Sequence, residues 1–287
     1  MIERLAIIGV GLIGSSLSLA LRQVGAVGTV VGYGRNSANL ARGVELGVLD
    51  CYESTVADTV RDADMIVVAV PMGAMKTVFV ELAGNLRADA TVTDVGSSKA
   101  SVVAAASAAL GNDMPRFVPG HPIAGNEKSG VEAGFASLFQ GRRVILTPLG
   151  QTDPAASARV DAMWRDCGAE VEYLEVEHHD KVLAATSHLP HMLAYTLVHQ
   201  LSNLNDNEEI FRYAAGGFRD FTRIASSDPV MWRDICLANG DALIELIEQY
   251  QVELNQVTRA IADGDADELL RLFTRAKSQR DSLIGSC

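Results

Sequence analysis

Short apolar runs recur through the first 174 residues. Leu5–Ile8 is one, and Thr29–Tyr33, Met65–Val70, Ala90–Thr93, Arg116–Val118, Arg143–Thr147 and Val171–Leu174 follow. Each has the length and density of a strand buried on both faces. Segments of helical composition lie between them. That alternation predicts an α/β fold, an N-terminal doubly wound Rossmann-type parallel sheet. After Leu174 the strand signal stops. Residues 175–205 read as one long helix, with a kink expected at Pro190. Residues 241–260 and 266–283 read as amphipathic helices, with apolar faces at Leu243, Leu246, Ile247, Tyr250 and Leu254, and at Leu269, Leu272 and Phe273. Those faces need a partner, so a homodimer is expected. The chain divides into a dinucleotide-binding domain (1–174) and an all-helical substrate and dimerisation domain (175–287), with no linker and no internal repeat.

Composition removes several alternatives. Of 287 residues, 48% are hydrophobic and 21% charged, an ordinary globular balance. The net charge of −12 argues against nucleic-acid binding, and it requires that an anionic ligand be held by local donors. Leu5–Leu21 has the apolarity of a membrane span, but it is short and interrupted by Gly9, Gly11, Gly14 and three serines, so no membrane association is expected. The opening lacks a basic n-region, so no secretory leader is expected. Cys51, Cys167, Cys236 and Cys287 are scattered without a CxxC, as free thiols in a reducing cytoplasm would be.

The candidate chemistry begins at Gly9-Val-Gly11-Leu12-Ile13-Gly14, directly after the first strand. Gly9 permits the tight turn, Gly11 lets the backbone approach a pyrophosphate, and Gly14 allows close helix–strand packing. The second strand ends at Gly34-Arg35-Asn36, where an NAD site usually carries an acid. Arg35 could instead clamp a 2′-phosphate, so NADP is expected over NAD. Val70–Pro71, the Ser97 turn and the His121 segment all fall at strand carboxyl ends, where such sheets bind ligands. His121 sits between Gly120 and Pro122 in a stretch dense in glycine and proline, which reads as a shaped loop. A histidine there can accept a proton near neutral pH or simply cap a turn. His188 and His191 share a helix face, but two histidines without a third ligand do not make a metal site, and none is expected. Arg223 lies in a segment where arginines alternate with aromatics and could fork onto a carboxylate.

Taken together, GVGLIGSS (9–16), AVP (69–71), DVGSSK (94–99), GHPIAGNEKSG (120–130), SHLPH (187–191) and GGFRDFTRIASSDPVMWRD (216–234) resemble the prephenate/arogenate dehydrogenase (TyrA) family, in order and over nearly the whole chain. The resemblance implies NAD(P)-dependent oxidative decarboxylation of prephenate or arogenate in tyrosine biosynthesis. It matches His121 to the catalytic histidine that engages the substrate's ring hydroxyl, and Ser97 to the serine that orients it. It matches Ser187 and His191 to polar substrate-pocket positions, Arg223 to the arginine that binds a substrate carboxylate, and Glu127 to an acid near the pocket entrance. The chemistry agrees: hydride leaves the hydroxyl-bearing carbon as an imidazole takes the hydroxyl proton, and loss of CO2 then makes the ring aromatic. No residue decides between prephenate and arogenate, and dual specificity stays open. No fused chorismate mutase or C-terminal regulatory domain is expected. Two other readings remain: a β-hydroxyacid or 6-phosphogluconate-type dehydrogenase, which would need a catalytic lysine such as Lys181, and a non-catalytic NADP sensor.

Overall fold

The computed structural model describes residues 1–283 except Glu127. Two compact units are present, Met1–Gly240 and a second beginning at Asp241. In the first, strands β1 (Ile2–Ile8), β2 (Val27–Tyr33), β3 (Cys51–Tyr52), β4 (Met65–Val68), β5 (Thr91–Asp94) and β6 (Phe117–Val118) form one sheet in the order β3-β2-β1-β4-β5-β6. Every pairing in it is parallel. Helices α1 (Leu12–Gln23), α2 (Ser37–Glu45), α3 (Val56–Val60), α4 (Met75–Leu82) and α5 (Ala100–Leu110) fall between and after these strands, and α6 (Pro154–Asp166) returns to the same core.

The double winding follows from strand period. Leu5 and Ile7 of β1 pack into one core cluster with Leu17 and Leu21 of α1 and Val160 and Trp164 of α6. Ala6 and Ile8, pointing the other way, join a second cluster with Val78 and Phe79 of α4 and Val102 of α5. A strand apolar at every position is buried on both faces, which is the predicted doubly wound Rossmann-type sheet.

Strand order reverses between β1 and β4, and there the chain demands glycine. Gly9 has φ +103°, and a Cβ on it would stand 2.4 Å from the Ala69 carbonyl oxygen. Only glycine meets both conditions. A Cβ on Gly14 would lie 2.5 Å from the Gly9 carbonyl oxygen, so α1 can approach the turn only because that side chain is absent.

Three further strands depart from the expected continuation of the parallel sheet. β7 (Gly120–Pro122), β8 (Arg143–Leu146) and β9 (Glu170–Tyr173) form their own sheet, in which β7 runs antiparallel to β8 and β8 parallel to β9. Pro119 explains the break. It has no N–H with which to extend the two-residue pairing of β6 with β5, and its carbonyl instead accepts the Thr147 N–H at 2.9 Å. His121 is therefore a strand residue opposite Ile145, and not part of a loop. The punctuation was read correctly, but a strand of three residues needs no periodicity of its own.

Beyond β9 the expected single helix is α7 (Val176–Leu183), a π-turn (Ala184–His188) and α8 (Leu189–Ser202). Pro190 has no N–H for a bond to the residue four before it, and the wider turn relieves the clash of its ring with that carbonyl. α9 (Asn207–Arg212) and α10 (Gly216–Thr222) follow, then a 3-10 turn (Arg223–Ser226) and α11 (Pro229–Ala238). Asp228 caps α11, accepting the Val230 and Met231 N–H groups at 2.7 and 2.9 Å.

α12 (Gly240–Ala262) carries the chain into the second unit, which continues with α13 (Ala266–Leu283). Ile244, Val252, Leu254 and Ile261 on α12, and Leu270 and Phe273 on α13, are exposed. Among the described residues no helix is long and apolar enough to cross a membrane.

Candidate active site

The carboxyl end of β5 builds the floor of the site. Asp94, the last residue of β5, accepts the N–H of Gly96 at 2.7 Å and that of Gly120 at 3.1 Å. Lys99 bonds to the same Asp94 carboxylate, and its ammonium also donates to the Gly120 carbonyl at 2.6 Å. Gly120 is thus gripped at both its N–H and its C=O, which sets the position of the next residue, His121.

His121 is buried, with its Nδ1 2.9 Å from Nε2 of His179. On the other side of His179, Nδ1 lies 2.8 Å from Oδ1 of Asp180. The Asp180 carboxylate also accepts the Lys99 and Ala100 N–H groups at 2.7 and 2.8 Å and the Ser98 hydroxyl at 3.3 Å. Asn239 joins the same cluster. Its amide donates to the Asp180 carbonyl at 2.8 Å and to His188 Nδ1 at 3.1 Å. His191 stacks on Trp232 with ring centroids 3.6 Å apart, and its Nδ1–H donates to the Ser187 carbonyl at 2.8 Å.

Residues 17–173 match the family model of the prephenate dehydrogenase nucleotide-binding domain, and residues 175–275 match that of the prephenate dehydrogenase dimerization domain. The chain belongs to the prephenate dehydrogenase family. It is 39% identical to a cyclohexadienyl dehydrogenase of Zymomonas mobilis, over 98% of this chain and 96% of that protein. Among solved structures it resembles a prephenate dehydrogenase from A. aeolicus in complex with hydroxyphenyl propionate and NAD+, with a TM-score of 0.92, 38% identity and 99% of both chains covered. A Synechocystis arogenate dehydrogenase aligns with a TM-score of 0.79 and 26% identity, over 97% of this chain and 99% of that one. The family activity, NAD(P)-dependent oxidative decarboxylation in tyrosine biosynthesis, is the activity of this chain, and its cofactor is a pyridine nucleotide.

The electrostatics of this prephenate dehydrogenase site favour neutral imidazoles. Burial pushes the His121 pKa well below the ordinary 6.5, and the nearby His179, Lys99 and His188 push it the same way. Burial takes His188 down to about 4, against the pull of Asp180. His191 is lowered by burial, with a further contribution from the charge of Arg223. That dependence puts Arg223 among the neighbours of His191. Burial alone would raise Asp180, but the hydrogen bonds from His179 and from the Lys99 and Ala100 amides outweigh it, and its pKa falls below the usual value.

The sequence-derived residues divide as follows. His121, Ser187, His191 and Arg223 are linked by the contacts and charges above. Ser97 is half-buried in the turn between Asp94 and Lys99, but the hydroxyl that bonds to Asp180 belongs to Ser98. Gly9, Gly11, Leu12, Ile13 and Gly14 form the turn into α1, and Val70 and Pro71 follow β4 beside it. A Cβ on Gly11 would meet no atom within 4 Å, so that backbone is open to a ligand. Arg35 is exposed just after β2. Glu127 lies outside the described residues. Lys181 is exposed on α7, unlike a lysine tuned for catalysis by burial. Among the described residues no three side chains of metal-binding type come together.

His179, Asp180, Asn239 and the ion-paired role of Lys99 escaped the sequence reading. One signal was available. His179 and Asp180 stand four residues before Leu183 and Ala184, all four buried, so two titratable side chains occupy the apolar face of α7.

Proposed function

We propose that His121 is the base of the reaction, taking the ring-hydroxyl proton of prephenate or arogenate at Nε2. The observation that carries this is the 2.9 Å contact of its Nδ1 with His179, which engages one ring nitrogen and leaves the other to face substrate. Its depressed pKa supports the role, because a base must arrive unprotonated. Ser97 orients the imidazole and the hydroxyl. Ser187 and His191 contribute polar pocket contacts, Arg223 binds a substrate carboxylate, and Glu127 lies near the entrance. A bound nicotinamide supplies the hydride acceptor. Gly9, Gly11, Leu12, Ile13, Gly14, Val70 and Pro71 hold the dinucleotide, with its pyrophosphate at the α1 amino end.

NADP is the preferred cofactor. The support is local: β2 ends in Gly34-Arg35-Asn36 without an acid, and Arg35 is exposed there. The A. aeolicus relative was solved with NAD+, so this preference rests on Arg35 alone. The enzyme uses both prephenate and arogenate. The name of the Z. mobilis relative, a cyclohexadienyl dehydrogenase, supports that breadth. It works in the cytoplasm as a homodimer built through residues 175–287, while residues 1–174 bind the dinucleotide. The exposed apolar rows of α12 and α13 and the dimerization-domain match support the assembly.

Near-ultraviolet absorbance of reduced nicotinamide tests the assignment. With purified protein and NADP, absorbance should rise on addition of prephenate and of arogenate. Absence of any rise with either substrate and either cofactor rejects it.

A further inference from the structure

The geometry points to His179 as a positioning residue that fixes which nitrogen of His121 is the base, with Asp180 as the anchor that fixes His179. The inference rests on the assignment of His121 as base and deepens it.

It follows from donors and acceptors. An ionised carboxylate can only accept, so the 2.8 Å contact between His179 Nδ1 and Asp180 Oδ1 requires the proton on His179 Nδ1. A neutral His179 then has only a lone pair at Nε2. The 2.9 Å contact with His121 Nδ1 therefore requires the proton on His121 Nδ1. By elimination His121 Nε2 carries the lone pair. Two hydrogen bonds thus dictate the tautomer of the reacting imidazole.

The anchor is itself immobilised. Asp180 Oδ1 is held by the Lys99 N–H and Oδ2 by the Ala100 N–H, at the amino end of α5, and Ser98 adds a hydroxyl. Its backbone carbonyl takes the Asn239 amide. The His179 side chain is fully buried between its two partners, so both ring nitrogens must be satisfied there, and both are.

The same chain disperses charge. When the substrate O–H bond breaks, a new N–H bond forms at His121 Nε2. The proton already on His121 Nδ1 can pass to His179 Nε2, leaving His121 neutral. The positive charge then rests on His179, bonded directly to the Asp180 carboxylate. No atom is gained or lost beyond the one proton received.

Two replacements separate positioning from mere packing. His179→Phe keeps a ring and removes both nitrogens; His179→Gln keeps a carbonyl able to accept from His121. The proton positions on His121 are read by histidine-selective ¹⁵N NMR, in wild type and in both variants, with folding checked by thermal unfolding. Wild-type His121 should be protonated at Nδ1. In His179→Phe the proton should move to Nε2, and kcat should fall by ~10-fold or more with KM for substrate and cofactor little changed. His179→Gln should restore the Nδ1–H form and much of kcat.

The inference is overturned if wild-type His121 is protonated at Nε2, a measurement that needs no variant to fold. It is equally overturned if folded His179→Phe leaves tautomer and kcat unchanged, or if Phe and Gln are equally impaired. The NMR result does not depend on turnover. Failure of the dehydrogenase assay with a correct tautomer therefore rejects the activity and not the positioning.

Discussion

Lys99 and Asp94 form an ion pair from which solvent is wholly excluded, both side chains being inaccessible. Burial works to lower the Lys99 pKa, and the Asp94 carboxylate opposes it. The same ammonium donates to the Gly120 carbonyl, one residue before His121. Removing one partner of such a pair strands the other charge in the interior, at a cost of ~3–5 kcal/mol. Lys99→Met should therefore lower the urea midpoint strongly and reduce kcat, because β7 loses its anchor. Unchanged stability in a denaturation curve would contradict this.

His121→Asn keeps a polar side chain of smaller size but no basic nitrogen. Turnover should drop by ~10²–10⁴-fold, while fluorescence titration should find cofactor affinity largely intact. Near-normal kcat would remove His121 from the role of base.

Stability should depend on pH through the buried histidines. His188 is held at about 4 and His121 well below 6.5, whereas an unfolded chain protonates both near 6.5. Between these values the unfolded state binds more protons, so acidification favours unfolding. The urea midpoint should fall as pH drops from 6.5 towards about 4, with His188 alone accounting for about 3 kcal/mol. A midpoint flat across that range would show that these histidines are protonated in the folded protein.

Arg35→Ser should raise KM for NADP by roughly tenfold or more, as expected for loss of a charge-assisted contact to phosphate, and leave KM for NAD nearly unaltered. Equal effects on the two cofactors, or a wild-type preference for NAD, would remove Arg35 from cofactor selection.

The parallel sheet was legible because strands buried on both faces are apolar at every position, as Leu5–Ile8 and Met65–Val68 are. The dinucleotide turn was legible because Gly9 and Gly14 have no substitute there. β7, β8 and β9 were harder. Each of their segments looks like a parallel strand by composition, and only the missing N–H of Pro119 sends β7 into a separate sheet. Among site residues, His121 stood out through its glycine and proline neighbours. His179 and Asp180 did not, because their meaning lies in Lys99 and Ala100, some eighty positions earlier. Ser97 and Ser98 show the same limit: adjacent identical letters, of which only the structure tells which hydroxyl reaches Asp180.

The π-turn at Ala184–His188 constrains how this stretch can change over time. A π-turn accommodates one residue more than the α-helical turn it replaces. Deleting any one residue between Leu183 and Leu189 would restore regular winding and swing the segment beyond by about 100° around the axis. His191 would leave the face of Trp232, and Asn239 would lose His188. The exposed Ala185 and Thr186 can exchange for other letters, but the number of letters there is not free to vary.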